Sequence, residues 1–219
     1  GSQVAINGEA AVYFSNKVKS ISGGDVQLRF HEPNALVPSL EVWDAVKNGS
    51  VDAGYTTPGY HAGKIPAVSY FTAVPFGPGA SEYHGWMEYG GGQQLKDRIY
   101  GEYGLKALNC LTHAPETSGW FRKKINNVEE LKGMKMRFFG LGAMVMSKLG
   151  VSTQLLAGGD IYPALEKGVI DATEFSMPTH DLSYGFYQLA KFNYFPGWHQ
   201  QTSIGELLMS TKVWGGLTK

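Results

Sequence analysis

Apolar residues near the start of the chain recur at the spacing of a helix. Residues 9–22 carry four of them on one face, followed by two glycines. This pattern is typical of an amphipathic helix and its end. The residues on the apolar face are Ala10, Phe14, Val18 and Ile21. The apolar and polar alternation of residues 26–30 then predicts a strand.

A second stretch, residues 156–181, combines a helical pattern with a short apolar run. The helix is expected to end at Gly168, and residues 169–173 to form a buried strand. In open α/β sheets, ligands bind at the carboxyl ends of strands. Glu174 and Phe175 follow the predicted strand directly, so they are placed where a ligand would bind.

The helix and strand of this stretch resemble an earlier one, residues 39–60. Gly49 corresponds to Gly168 and Asp52 to Asp171, because 168 − 49 and 171 − 52 both equal 119. The two aspartates, in the repeated pattern G-x-[VI]-D-A, are expected to bond loop N–H groups and to have a structural role.

A further pair of similar segments, 26–30 and 134–138, occurs in the same order in each half. Each half therefore has the pattern strand, helix, strand. This repeat predicts an α/β fold with two lobes and a ligand cleft between them. The first lobe is expected to comprise residues 1–113, with 205–219 returning to it, and the second lobe residues 114–204.

Composition narrows the possible partners. The 19 basic and 19 acidic residues cancel, so nothing indicates nucleic acid or an anionic membrane. No apolar run approaches the roughly 20 residues of a membrane span. The single Cys110 excludes an internal disulfide and is expected to be a buried, inert thiol. The residues after the opening Gly-Ser do not have the pattern of a signal peptide, and this is expected to decide nothing about the compartment.

Few residues carry recognisable chemistry. Arg137 ends a predicted strand, and a guanidinium matches a carboxylate with two parallel donors; the alternative is a salt bridge to a surface acid. Tyr60, in a loop at the predicted ligand edge, is either a binding hydroxyl or a surface aromatic. Three histidines, His113, His180 and His199, lack metal-ligand spacing and are expected to be hydrogen-bonded or exposed.

Several longer motifs run along nearly the whole chain. They are EPNALVP at 32–38, FTAVPFGP at 71–78, GWFRK at 119–123, LKGMKMR at 131–137, AGGDIYPALE at 157–166 and YFPGW at 194–198. With these motifs the chain resembles the solute-binding proteins (DctP type) of tripartite ATP-independent periplasmic (TRAP) transporters. Within that family it is most similar to the branch that binds 2-oxo acids.

The resemblance implies a periplasmic-binding-protein-like fold whose two α/β lobes close around an organic acid and deliver it to a membrane permease. It implies that Arg137 binds the substrate carboxylate and that Tyr60 contacts the substrate. It also implies a metal ion at the ligand, held by Glu116, Glu174, the backbone carbonyl of Phe175, and Gln200. These hard oxygen ligands favour Na⁺ or Ca²⁺. Glu116 also belongs to the substrate site, whose apolar wall is expected to include Phe138, Phe175 and Trp198.

The chain departs from that branch in several places. The branch carries Gln where Glu116 stands and Glu where Gln200 stands, an exchange that keeps the summed charge. Phe175 replaces a tryptophan. The chain is also shorter than is usual in the family and is expected to lack the first β-strand and the C-terminal helical part.

We therefore expect a periplasmic binding protein without catalytic activity, with pyruvate or another 2-oxo acid as its ligand. One alternative is a 2-hydroxy acid such as lactate, bridged by Ca²⁺. A different class is a metal-dependent enzyme that uses Glu116 and Glu174 on an oxo acid. A third possibility is a fragment that does not bind. Turnover of an oxo acid would favour the enzyme, whereas tight binding of unchanged ligand would favour transport.

Overall fold

The computed structural model describes residues 7–217, which form eight α-helices, five short 3-10 helices and eight strands. The helices are α1 Asn7–Ile21, α2 Val42–Lys47, α3 Ala80–Tyr89, α4 Gly92–Gly101, α5 Gly140–Lys148, α6 Gly158–Glu166, α7 Pro178–Tyr184 and α8 Thr211–Gly216. The strands are β1 Ala53–Thr56, β2 Leu105–His113, β3 Gly119–Phe121, β4 Lys135–Arg137, β5 Ser152–Gln154, β6 Ala172–Thr173, β7 Phe192–Tyr194 and β8 Ser203–Ser210.

The first sheet has three strands, in the order β1-β8-β2. Both outer strands run antiparallel to β8. Seven of the eight residues of β8 are buried, because it lies at the centre of the sheet. Helices α2, α3 and α4 supply Trp43, Tyr83 and Tyr100 to the apolar core beside it.

The second sheet has five strands, in the order β5-β4-β6-β3-β7. Strand β4 is parallel to β5 and β6, whereas β3 is antiparallel to β6 and β7. Two apolar clusters pack against it, one around Met136 and Phe138 and the other around Ile161, Leu165 and Ile170. Because β4 and β6 are parallel, their carboxyl ends lie at the same edge of the sheet.

The helix, glycine and strand part of the internal repeat is confirmed in structure. In each copy a helix is followed by a glycine with positive φ, Gly49 at +74° and Gly168 at +69°, and then by a strand. A side chain disfavours this backbone conformation, so glycine suits the turn. Asp171 has the structural role that was expected, since its Oδ2 accepts a hydrogen bond of 2.9 Å from the Lys135 N–H.

One predicted strand is wrong. Residues 26–30 alternate between half-buried and exposed side chains, as the pattern indicated. They nevertheless pair with no strand in the part of the chain that the structure describes. Alternation alone does not form a strand, because a strand also needs a neighbour for its backbone hydrogen bonds.

The predicted first helix is present, but Ile21 on its apolar face is 72% exposed.

Two segments join the sheets, residues 114–118 and 195–202. They are bonded to each other: the Glu116 N–H donates to the Gln200 carbonyl at 3.3 Å, and the Gly197 N–H donates to the Glu116 carbonyl at 2.6 Å. We call them the connecting segments. The division into lobes at 1–113 and 114–204 stays a prediction. Within residues 7–217, no helix combines the length and the apolar character that a membrane crossing requires.

Candidate functional site

Arg137 and Glu174 meet where strands β4 and β6 end. The Glu174 N–H donates to the Arg137 carbonyl at 3.2 Å, which continues the strand pairing by one residue. The guanidinium is 1% exposed, and its Nη1 donates to Glu174 Oε1 at 2.8 Å and to the Glu174 carbonyl at 2.9 Å. Its Nε donates to the Leu156 carbonyl at 3.2 Å. These bonds fix the guanidinium plane at the sheet edge.

Two aromatic rings flank this guanidinium. The ring centre of Phe175 lies 5.0 Å from Arg137 Cζ, and that of Phe139 lies 5.8 Å away. Both are within the range of cation–π attraction. The ring of Tyr60 meets Phe139 edge-on, with 5.5 Å between ring centres. Tyr60, in the 3-10 turn Pro58–His61 that follows β1, therefore contacts one of the two rings that flank the guanidinium.

The connecting segments bring two more ionisable groups to Glu174. Single ligand atoms of Glu116, Glu174 and His199 all lie within 4.8 Å of one another, and all three residues are buried. Nε2 of His199 is 3.6 Å from Glu174 Oε2 and 3.8 Å from Glu116 Oε2. These are ion-pair distances but not hydrogen-bond distances. Within residues 7–217, Glu174 Oε2 and both His199 ring nitrogens lack a hydrogen-bond partner.

The electrostatics of this cluster follow from burial and opposite charge. Burial raises the pKa of Glu116, an effect that His199 only partly offsets. Burial alone would raise the pKa of Glu174 too, but Arg137 and His199 outweigh it and hold the pKa below its ordinary value. Burial would lower the pKa of His199, yet the two carboxylates raise it to about 9. At neutral pH, His199 is thus an imidazolium ion between two acidic side chains.

The cluster fits a cation of the hard, oxygen-binding kind. Two buried carboxyl groups converge, and Glu174 Oε2 accepts no hydrogen bond from the described residues. Carboxylate oxygens are the preferred ligands of Ca²⁺ and related ions. His199 adds one imidazole nitrogen, a ligand that suits Zn²⁺ and similar metals better. The two carboxylates are the part of the donor set that favours a hard cation.

The remaining predicted residues lie close to this centre. The ring of Phe138 is 4.9 Å from that of His199 and 6.0 Å from that of Trp198. Gln200 is buried, and its carbonyl accepts from Glu116. Metal ligation by Gln200 and by the Phe175 carbonyl, and the ligand contact of Tyr60, stay predictions.

Sequence reasoning missed His199. It was expected to be hydrogen-bonded or exposed, but it is buried beside two carboxylates, and its ring nitrogens form no hydrogen bond with the part of the chain that the structure describes. The pattern around the PGW motif pointed to the neighbouring Gln200 instead. The signal in the sequence was the position of His199 directly before Gln200, because a residue next to a predicted metal ligand can reach the same metal site.

The fold has two α/β halves, with a buried arginine and two carboxylates between them. These features are typical of the two-lobed ligand-binding proteins. The family model of the bacterial extracellular solute-binding proteins, family 7, matches residues 2–219. The chain belongs to this family.

The chain is similar to characterised relatives along nearly all of its length. It is 38% identical over 205 residues to a monocarboxylate 2-oxoacid-binding periplasmic protein of Nostoc sp., covering 94% of this chain and 56% of that protein. The chain thus spans just over half the length of this relative.

Two solved TRAP periplasmic solute-binding proteins share the fold closely. The one from Pseudoalteromonas atlantica, with bound sodium and pyruvate, has a TM-score of 0.95 and 35% identity. The one from Colwellia psychrerythraea, with bound calcium and pyruvate, has a TM-score of 0.94 and 36% identity. Each alignment covers 100% of this chain and 66% of the other.

Proposed function

We propose that this chain carries the ligand site of a periplasmic solute receptor of a TRAP transporter. It would capture a small 2-oxo acid such as pyruvate and deliver it to the membrane permease. The observation that carries the proposal is the buried guanidinium of Arg137, held at the strand ends beside the cluster of Glu116, Glu174 and His199. The similarity to a 2-oxoacid-binding protein and to two pyruvate-bound proteins supports it.

Different residues of the site are proposed to contact different parts of the ligand. Arg137 binds the ligand carboxylate, because a buried guanidinium stays charged and presents parallel donors. Tyr60 donates a hydrogen bond from the other side of the cleft. A bound Na⁺ or Ca²⁺ would supply positive charge that attracts the acid. The residues that would hold this ion are Glu116, Glu174, the carbonyl of Phe175, and Gln200, and those that wall the pocket are Phe138, Phe175 and Trp198.

The proposal includes binding without catalysis, so turnover of the bound acid would contradict it. The competing class, a metal-dependent enzyme, would convert an oxo acid with Glu116 and Glu174. Mass spectrometry of the ligand recovered from the protein separates the two. Unchanged pyruvate after prolonged incubation supports a receptor, and a new product supports the enzyme.

A thermal-shift titration tests the ligand and the metal together. Protein treated with chelator is melted with pyruvate and either Na⁺, Ca²⁺ or no added metal. Ligand at about 100 times its Kd stabilises the native state by about 2.7 kcal/mol, which raises Tm by about 5–10 °C for a chain of this size. The rise should require the metal. An equal rise in chelator would remove the metal from the proposal, and no rise with any 2-oxo or 2-hydroxy acid would contradict carboxylate binding.

The variant Glu116→Gln sharpens the test of the metal site. It keeps the shape of the side chain and removes one of two carboxylates near the ion. Since ligand charge sets much of the affinity for Ca²⁺, the Ca²⁺-dependent rise in Tm should shrink more than the Na⁺-dependent rise. The exposed Glu102 provides the matched control, and Glu102→Gln should leave both rises unchanged.

A further inference from the structure

Phe76 combines an unfavourable backbone conformation with an exposed side chain. Its φ is +55°, in the left-handed region, and its side chain is 82% exposed. In the part of the chain that the structure describes, Asn34 is the only other non-glycine residue with a positive φ, and asparagine tolerates this region better than phenylalanine. Strained residues persist only where surrounding interactions hold them. Because the ring is mostly in solvent, side-chain packing contributes little to holding Phe76 in this conformation.

The conformation belongs to a tight turn. The Gly77 N–H donates to the Val74 carbonyl at 2.9 Å, which makes Pro75 and Phe76 the central residues of a β-turn. Proline at the second position and a positive φ at the third are features of a type II turn, in which glycine is usual at the third position. A type I turn also accepts proline at the second position and needs no positive φ. Phe76 therefore adopts the less favourable of two turns that this sequence allows.

The type II form directs the Phe76 N–H toward the other half of the molecule. The turn precedes α3, whose Tyr83 lies in the core beside the first sheet, whereas the N–H donates at 2.9 Å to the carbonyl of Trp198 in the connecting segment 195–202. The two turn types differ by rotation of the central peptide, through about 150° in ψ of the second residue and about 170° in φ of the third. In the type I form the N–H would point away from Trp198. The strained turn and this hydrogen bond therefore occur together.

The acceptor of this bond lies beside the proposed ligand site. Trp198 directly precedes His199 and Gln200, and its ring centre is 6.0 Å from that of Phe138, the residue after Arg137. A movement that separates the turn from the connecting segment breaks the bond. Without the bond, the type I turn is favoured, because it avoids the positive φ.

We propose that the Pro75–Phe76 peptide is a switch that responds to closure of the cleft. It takes the type II form when the cleft closes on the ligand and the type I form when the cleft opens. This inference rests on the proposed function, because closure is the step that encloses the acid. The penalty for the positive φ arises only in the closed form, so Phe76 lowers the population of that form and favours release of the ligand. Phe76 is a positioning residue that acts through Trp198.

Two substitutions that both remove the ring test the switch. Phe76→Gly removes the penalty for a positive φ, and Phe76→Ala keeps it. Since apparent affinity follows the population of the binding-competent form, Phe76→Gly should bind pyruvate about five- to tenfold more tightly than Phe76→Ala. Calorimetry in buffer containing Na⁺ and Ca²⁺ measures both dissociation constants. Ala80→Gly, at the exposed first residue of α3, controls for the flexibility of glycine and should bind pyruvate as wild type does.

Equal dissociation constants of the two Phe76 variants would overturn the switch and leave the receptor function in place. A higher Tm of ligand-free Phe76→Gly without any gain in affinity would also overturn it, because the strain would then be present in the open and closed forms alike.

Amide hydrogen exchange at residue 76, followed by NMR, measures the bond itself. In wild type, pyruvate with Ca²⁺ should slow exchange of the Phe76 N–H, because this N–H is bonded only in the closed form. Unchanged exchange in a protein that binds pyruvate would overturn the switch, even if a variant fails to fold. Without ligand, exchange at residue 76 should be slower in Phe76→Gly than in Phe76→Ala after correction for intrinsic rates, and equal exchange would contradict the inference. If wild type binds no acid, the proposed function falls, and this ligand-free comparison still decides on the switch.

Discussion

At the scale of single residues, Arg137 combines two roles that conflict. Its Nη1 is paired with Glu174 in a buried ion pair of 2.8 Å, yet the proposed function also needs the guanidinium to bind an external carboxylate. The planar fork of five donors resolves the conflict, because different N–H groups can serve each partner. The aromatic rings of Phe139 and Phe175 flank the guanidinium, which is almost fully shielded from water.

Arg137→Lys tests the need for that fork. Lysine keeps the charge beside Glu174, so the fold should persist, but it cannot present two parallel donors. Each charge-assisted hydrogen bond contributes about 1.5–3 kcal/mol, so the Kd for pyruvate should rise by at least tenfold. Isothermal calorimetry measures this, and Arg98→Lys at an exposed position of α4 is the control. Unchanged affinity in Arg137→Lys would refute the assigned role.

At the scale of secondary-structure elements, a buried ion pair joins β8 to α4. Lys96 Nζ lies 2.7 Å from Glu206 Oε2, and both side chains are fully buried. The Tyr100 hydroxyl donates to Glu206 at 3.1 Å, and Lys96 donates to Asn109 Oδ1 at 2.7 Å. Both charged groups thus have hydrogen-bond partners, which explains how this pair can be buried between α4 and the central strand of the first sheet.

Glu206→Gln should destabilise the protein strongly, because it leaves the Lys96 ammonium buried without its counter-ion. Breaking a buried pair in this way costs about 3–5 kcal/mol, which lowers Tm by about 10 °C. The matched change is Asp97→Asn, which breaks the partly exposed Lys106–Asp97 pair of 2.8 Å. Exposed pairs contribute at most about 1 kcal/mol. Similar losses of Tm in the two variants would contradict the importance of burial here.

The turn Pro58–His61, which presents Tyr60, depends on a buried neutral histidine. The His61 ring packs on Trp43 of α2 at 5.1 Å, and its Nε2 is 3.3 Å from Thr56 Oγ1 of β1. Burial, assisted by Lys64, lowers the pKa of His61 to about 4, from an ordinary value of 6.5. Between these values the unfolded chain binds a proton that the folded protein does not.

Stability should therefore fall as the pH drops from about 6.5 to about 4, and this histidine should contribute up to about 3 kcal/mol of the loss. Above pH 6.5 its contribution is constant. Urea denaturation of wild type and His61→Gln at several pH values measures the effect. The wild-type free energy of unfolding should decline more steeply than that of the variant, and parallel curves would refute the assignment.

At the scale of the whole molecule, the two halves touch at points that enclose Arg137. A Cβ atom on Gly59 would overlap the ring of Phe139, so the loop after β1 approaches the second sheet as closely as glycine permits. At a second point the Phe76 N–H donates to the Trp198 carbonyl at 2.9 Å, and the two rings are 5.9 Å apart. These contacts describe a closed cleft.

Gly59→Ala should oppose this closure. The residue has no positive φ that would strain alanine, so the cost arises only where the added methyl meets Phe139. The Kd for pyruvate should rise by about tenfold or more, because ligand binding and the close approach go together, while Tm without ligand should change little. At Gly63 a Cβ meets nothing within 4 Å, which makes Gly63→Ala the control. Equal affinities of the two variants would show that the contact does not limit binding.

Much of the site was recognisable before the structure. Arg137, Glu116 and Glu174 were named from motifs, and they meet in one buried centre. His199 was expected to be hydrogen-bonded or exposed, because isolated histidines carry no spacing signal. Its place in the cluster depends on ring nitrogens that have no hydrogen-bond partner among the described residues, a property of the packed surroundings and not of the sequence.

The sequence by itself determined the local elements and the family. Its repeated helix, glycine and strand pattern depends on backbone preferences within a few residues, and its motifs are short and contiguous. The tertiary structure alone decided which groups meet across the chain. Residues 26–30 have the alternation of a strand but no partner among the described residues, and His199 reaches Glu174 only because the connecting segments run side by side. Strand pairing and charge clustering depend on neighbours distant in sequence, which local patterns do not specify.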